Sequence, residues 1–211
     1  MNRVLEPEVM DDPAHALAYA RADFAAVNQG FVDRFFAFAP AVGATVVDLG
    51  CGPADIPLRL AAARPDLRCV GIDASIPMLR LARPHARVFP VAARLGALPL
   101  ATGFFDAVVS NSLLHHLPDP DLLWHEVRRL GRSGASVLVM DLHRPASADA
   151  ARAIVDGYAA GEAEVLRRDF YHSLLAAFTE EEVRTQLRAN GLDLACAVVS
   201  DRHWVASGRL S

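Results

Sequence analysis

This 211-residue chain predicts an α/β fold: a doubly wound, mostly parallel sheet of seven strands, one of them antiparallel. Three observations carry that reading. Short β-branched runs alternate with helical segments along most of the chain, the pattern of βαβ units around a parallel sheet. The stretch Val46-Val47-Asp48-Leu49-Gly50-Cys51-Gly52-Pro53-Ala54-Asp55 joins a strand, a tight glycine turn and a helix start without a gap. A second strand, Cys69-Val70-Gly71-Ile72-Asp73, ends in an acid about twenty residues further on, where a nucleoside-binding sheet places its ribose carboxylate.

The elements follow in order. Positions 13–38 form an Ala-rich amphipathic helical stretch, opened by Asp11-Asp12-Pro13 and expected to break near Asn28-Gln29-Gly30. Strands are expected at 44–49, 68–72, 86–91, 105–110, 135–141, 193–199 and 203–208, with helices at 55–63, 75–82 and 119–130. Thr179-Glu180-Glu181-Glu182 is a capping box with acids in the first turn, opening a helix that Gly191 closes. Asp201-Arg202 joins the last two strands tightly, which makes them a hairpin and one of them antiparallel. The segment 143–178 is too long for a simple connection and rich in Ala, Glu and Arg. It reads as a helical lid insertion that, with the N-terminal helical cap at 1–40, covers the carboxyl ends of the strands. The whole of 1–211 is read as one domain, with no repeat or linker.

Composition excludes several functions. No apolar run approaches the roughly eighteen residues of a membrane span. The start, Met1 to Glu8, lacks the basic and apolar regions of a signal peptide. Cys51, Cys69 and Cys196 are few and odd in number, and read as buried thiols in a reducing cytoplasm. All 21 basic residues are Arg, so there is no lysine Schiff base, lysine general base or P-loop lysine. A net charge of −4 without a basic stripe disfavours nucleic acid as a partner. No metal constellation is evident, and a homodimer is compatible with the sequence.

The glycine turn constrains its ligand. Gly50 and Gly52 let backbone approach a bound molecule closely. A dinucleotide turn would carry a third glycine at position 55, where this chain has Asp, whose charge repels a pyrophosphate. The turn suits a ligand with a cationic or neutral group at this point.

Asp48-x-Gly50-x-Gly52 resembles motif I of the class I S-adenosylmethionine (SAM) dependent methyltransferases of small-molecule type. Further segments resemble the family's later motifs in its order over about 44–142: Cys69 to Asp73 its second strand ending in an acid, Leu98-Pro99-Leu100 with Phe105 to Asn111 the approach to its fourth strand, Leu114-His115-His116-Leu117-Pro118-Asp119-Pro120 the segment after it, and Glu126 to Ala135 the helix and turn into the fifth. The resemblance implies a Rossmann-like fold, SAM as cofactor and in-line transfer of its methyl group to a small-molecule acceptor. Alternatives are a non-catalytic SAM-binding or regulatory protein, or a methyltransferase acting on RNA or protein. It places Gly50, Cys51 and Gly52 against the methionine part of SAM, with Asp48 orienting it. Asp55 either faces the SAM ammonium or caps the next helix. Asp73 takes the ribose diol, with an N-cap as its other reading, and Ala74, Ser75 and Met78 fall near adenine. The family's third glycine is Ala54 here, and its adenine-binding acid after the third strand is missing from Val91 to Leu98, leaving backbone of 92–95 for that task. Asn111 ends the fourth strand beside the transfer point. At most one of His115 and His116 enters the site, with His115 preferred as catalytic. Tyr171 and His172, next to Phe170, either line an acceptor pocket or lie on an ordinary helix surface.

Overall fold

The computed structural model describes residues 1–6 and 12–211. Asp11, and Pro7 and Glu8 of the N-terminal stretch, lie outside the described residues. The strands are β1 (Thr45–Leu49), β2 (Arg68–Asp73), β3 (Val88–Ala92), β4 (Phe105–Asn111), β5 (Gly131–Leu142), β6 (Ala195–Val198) and β7 (His203–Arg209). They form one sheet in the order β3-β2-β1-β4-β5-β7-β6. Every pairing from β3 to β5 is parallel, and β7 runs antiparallel to both β5 and β6. The expected single antiparallel strand is therefore β7, the second arm of the hairpin.

Alternation along the central strands feeds two layers of core. Val47, Leu49, Val108, Val137 and Val139 point to one face, where Leu123, Trp124, Val127, Val183 and Leu187 cover them. Val46, Ala107, Val109, Leu138 and Met140 point to the other, against Phe31, Val32, Phe35 and Leu60. The covering helices are α1 (Pro13–Arg21), α2 (Ala25–Phe38), α3 (Asp55–Ala63), α4 (Ile76–Leu79), α5 (Asp121–Leu130), α6 (Ala148–Tyr158), α7 (Glu164–Ala176) and α8 (Glu180–Ala189). Fully burying a side chain such as Phe35 or Trp124 contributes on the order of 2–3 kcal/mol, so these faces dominate the stability of the sheet.

Some boundaries differ from expectation. The N-terminal helical stretch breaks at Ala22-Asp23-Phe24 and not at Asn28-Gln29-Gly30. Asp23 Oδ1 accepts from Ala25 N at 3.0 Å and starts α2, whereas Asn28 sends its side chain to Asp55 at 2.8 Å and leaves the helix intact. Asp12 caps α1 as expected, accepting from Ala14 N and His15 N. Helix α4 is one turn, shorter than expected, with Ser75 as its N-cap. Strand β5 begins at Gly131, but its register jumps from Phe105↔Gly131 to Ala107↔Ser136, so the regular part starts close to the expected position. The capping box of α8 is complete: Thr179 and Glu182 each bond the other's backbone N–H. Within 143–178 lie α6 and α7, whose apolar faces form a cluster of their own with Leu142, Val155 and Leu174 at its centre.

Candidate cofactor and acceptor site

The strand order reverses between β1 and β4, and open α/β sheets bind ligands in the crevice beyond the carboxyl ends at such a switch point. The Ser110 hydroxyl donates to Leu49 O at 2.7 Å and ties the two strands together there. Leu49 is followed by a turn in which Gly50 has φ 79° and Gly52 has φ 52°. Gly50 N and Cys51 N both donate to Ile72 O, at 2.8 and 2.9 Å, which docks the turn on β2. A Cβ on Gly50 would lie 2.8 Å from Leu113 Cβ, whereas one on Gly52 would meet nothing within 4 Å. Gly52 thus leaves open the space that a ligand would occupy.

A pocket opens over this turn. Its wall holds every residue assigned above to the cofactor: Asp48, Gly50, Cys51, Gly52, Asp55, Asp73, Ala74, Met78 and Asn111. The Asp48 carboxylate is 1% exposed, and neither oxygen has a hydrogen-bond partner among the described residues. Burial, reinforced by the charge of Asp73, pushes its pKa up to about 8. Asn111 Oδ1 is also buried and unpartnered. Buried polar groups are normally satisfied, so two orphans in one pocket point to a polar ligand that supplies the partners. A cation is the natural partner of Asp48.

Asp73 is half committed. Its Oδ2 accepts from Gly52 N at 2.7 Å and its Oδ1 from Ser75 N at 2.8 Å. A carboxylate has about four acceptor sites, so lone pairs remain on both oxygens for a diol. The N-cap of α4 is Ser75, whose Oγ accepts from Met78 N, and not Asp73. Asp55 opens α3 without capping it, and holds Arg59 Nε at 2.7 Å and Asn28 Nδ2 at 2.8 Å. Ala54, at the third glycine position, is buried in a left-handed conformation with φ 62°. Non-glycine residues adopt that region at a cost of about 1–2 kcal/mol. Ser112, also in the pocket wall, is left-handed with φ 57°. Ala93, Arg94 and Leu95 line the pocket where no acid was found, and Ala93 N is held by Asp73 O at 3.0 Å.

The structure also brings in residues that the sequence did not mark. Tyr19 of α1 lines the pocket, its ring 4.7 Å from that of Phe24. Burial and the charge of Asp73 raise its phenol to about 12. The only sequence signal was its position in an amphipathic helix, which marks a buried face and not a site.

Of the two adjacent histidines, His116 lines the pocket and His115 does not. They sit on a single 3-10 turn, Leu114–His116, with ring centroids 4.1 Å apart, and only the second ring reaches the pocket. His115 is buried behind the wall, its Nδ1 2.5 Å from Asp141 Oδ1 and its backbone N donating to Asp141 Oδ2 at 3.1 Å. Burial alone would lower the His115 pKa, but the charge and hydrogen bond of Asp141 outweigh it and raise the value. Glu6 reaches both rings, with Oε1 3.4 Å from His115 Nε2 and 2.9 Å from His116 Nδ1. Arg3 donates to His115 O and Leu117 O at 2.8 and 2.9 Å, holding this N-terminal segment against the turn. Tyr171 lies in a separate surface hollow with Arg152, Asp156 and Arg167, and His172 is exposed on the same helix. Neither lines the pocket over the glycine turn. Arg144, at the end of β5, is bound to Ala177 O and Glu182.

A family model described as "Methyltransferase domain" matches residues 47–139. A demethylmenaquinone methyltransferase of Roseiflexus sp. (strain RS-1) is 34% identical over 111 residues, which is 51% of this chain and 46% of that protein. This chain therefore spans about half the length of that relative. An uncharacterized methyltransferase of Mycobacterium bovis is 30% identical over 151 residues, 68% of this chain and 76% of the relative. Among solved structures, a SAM dependent methyltransferase from Aquifex aeolicus superposes with a TM-score of 0.69 at 14% identity, over 95% of this chain and 99% of the other.

Proposed function

This chain belongs to the class I SAM-dependent methyltransferase family, and we propose that it transfers the methyl group of SAM to a small-molecule acceptor. One observation carries this reading: a glycine turn that leaves open space at Gly52, an unpartnered buried carboxylate at Asp48 and the Asp73 carboxylate all face one pocket. These residues fit SAM, a nucleoside with a cationic amino acid tail, better than a dinucleotide.

SAM supplies a sulfonium-activated methyl carbon, open to in-line displacement by a nucleophile. The protein's part is to hold and orient the reactants and exclude water. Asp48 receives the ammonium, and becomes ionised as it does so. Asp73 accepts from the ribose diol while its bond to Gly52 N keeps the turn in register. Backbone of 93–95, with Met78 and Ala74, frames the adenine. Asn111 and Ser112 shape the transfer point, and His116 faces the acceptor from the β4 side. Helices α6 and α7, with α1, act as a lid, in keeping with their separate apolar cluster.

The pocket and a net charge of −4 with no basic stripe favour a small acceptor over a polyanion. Three free, buried cysteines suit a reducing cytoplasm. No helix among the described residues is long and apolar enough to cross a membrane. Formation of S-adenosylhomocysteine from SAM against a metabolite library tests the reading. Calorimetry showing binding of NAD and none of SAM would overturn it.

A further inference from the structure

We propose that Glu6, His115 and His116 form a binding site for a divalent first-row transition metal at the edge of the SAM pocket. Glu6 Oε1 lies 3.4 Å from His115 Nε2 and 2.9 Å from His116 Nδ1, and one donor atom from each of the three residues lies within 4.8 Å of the others. An ion about 2.0–2.1 Å from each donor sets neighbouring donors roughly 3–3.4 Å apart in a tetrahedral site, so closing the set brings donors now within 4.8 Å of one another to that spacing.

Two further observations support a ligand here. Asp141, 1% exposed, engages Nδ1 of His115 at 2.5 Å. That is the arrangement of a carboxylate behind a metal-binding histidine: it accepts a hydrogen bond from Nδ1–H, fixes the ring and leaves the Nε2 lone pair facing Glu6. His116 Nδ1 is buried and its nearest polar neighbour is the Glu6 carboxylate, 2.9 Å away, which His115 Nε2 also faces. A metal ion would satisfy that nitrogen and part the two rings, whose centroids are 4.1 Å apart, from competition for one carboxylate. Glu6 and Asp141 bring two negative charges, and Arg3, bound to His115 O, brings one positive. With neutral rings the cluster carries −1 and attracts a cation. Two imidazoles and one carboxylate favour zinc, iron or cobalt over magnesium or calcium, which prefer all-oxygen sets.

The use of the site rests on the methyltransferase reading. Because His116 lines the SAM pocket, a free coordination position there would take the oxygen of an acceptor hydroxyl or enol. The ion lowers the pKa of that oxygen's proton, which leaves to water. The oxygen then forms the bond to the methyl carbon as the sulfur–methyl bond breaks, its electron pair staying on sulfur.

Cobalt(II) titration of the full, metal-stripped chain tests the site, read by visible absorption and by calorimetry. One equivalent should bind, with affinity reduced at least tenfold in Glu6→Gln and His116→Ala and roughly 10- to 100-fold in Asp141→Asn, where the supporting carboxylate is lost. Glu6 lies on an N-terminal segment outside the sheet core, so Glu6→Gln keeps the test open if the Asp141 variant fails to fold. Absence of stoichiometric binding, or binding equal in all variants, overturns the site. SAM calorimetry on the same metal-stripped protein separates the two readings: SAM binding without cobalt binding leaves the methyltransferase and removes the metal.

Discussion

Asp73 Oδ2 accepts a 2.7 Å hydrogen bond from Gly52 N, so the carboxylate at the end of β2 holds the ligand turn at the end of β1. One side chain thereby shapes the turn and offers its remaining lone pairs to the pocket. Burial raises its pKa, and the bonds from Ser75 N and Gly52 N partly counter that. Removing it by Asp73→Ala loses charge-assisted bonds worth on the order of 1.5–3 kcal/mol. The dissociation constant for S-adenosylhomocysteine should rise roughly ten- to hundredfold. An unchanged value in a folded variant, measured by calorimetry, would relocate the ribose.

The two glycines of the turn should fail in different ways. Gly50→Ala sets a methyl 2.8 Å from Leu113 Cβ at φ 79°, combining overpacking with a left-handed alanine, and should destabilise the fold by about 2–4 kcal/mol. Gly52→Ala meets no atom within 4 Å among the described residues, so only the backbone strain of about 1–2 kcal/mol applies. Its methyl projects into open space, and SAM binding should fall at least tenfold while the protein stays folded. Urea melts and calorimetry read the two effects; equal behaviour of the variants would show that the open space at Gly52 is not ligand space.

The fold was legible because the central strands are apolar on both faces and the turns carry glycine. The glycine turn and the acids Asp48 and Asp73 at the strand ends were legible from the strand–turn–helix pattern, while their assignment to SAM came from the family resemblance. The break after α1 was misplaced because Asn28 and Gly30 look like breakers, while their effect depends on Asp55, a partner remote in sequence. The same limit applies to the histidines. Which ring enters the pocket depends on the 3-10 turn and on Asp141, 26 residues away, and the contribution of Glu6 comes from a still more distant segment. Tyr19 carried no motif at all.

Helices α6 and α7 share a small cluster centred on Leu142, Val155 and Leu174, apart from the two layers of the sheet. A small satellite core opens more readily than the body of a domain. Their amides should exchange faster than those of β1 and β4 in the free protein, and slow when S-adenosylhomocysteine orders the lid. Equal, strong protection with and without ligand would make them permanent core.

Tyr171 and His172 sit outside the pocket over the glycine turn, while His116 lines it. His116→Ala should therefore reduce methyl transfer at least tenfold with little loss of SAM affinity. His172→Ala and Tyr171→Phe should change neither by more than about twofold: His172 is exposed, where substitutions stay within about 0.5 kcal/mol, and Tyr171→Phe keeps the ring that packs on the α6–α7 cluster. A transfer defect in His172→Ala with cofactor binding intact would place α7 against the acceptor after all.

Asp48 sets the response to pH. Its folded pKa is raised from 3.8 to about 8, by burial first and by Asp73 second. A raised carboxyl retains a proton that the unfolded chain releases, so its stabilising effect is complete below about pH 4 and lost as pH rises through about 8. Asp48→Asn removes that loss: relative to the native chain, the variant should gain stability steadily between pH 4 and 8, and level off above. The cofactor reverses the preference, because its ammonium demands the ionised carboxylate and binding then expels the proton. SAM affinity should rise by up to about tenfold per pH unit below pH 8. It should peak near there, since an α-amino group itself loses its charge at about 7.7–8.0. Calorimetry at pH 6.5 in two buffers of different ionisation enthalpy should show close to one proton released. A flat affinity from pH 6 to 8 with no proton release would mean that Asp48 is already charged in the free protein and meets no cation on binding. In Asp48→Asn both the proton release and the rise should vanish, together with at least tenfold in affinity.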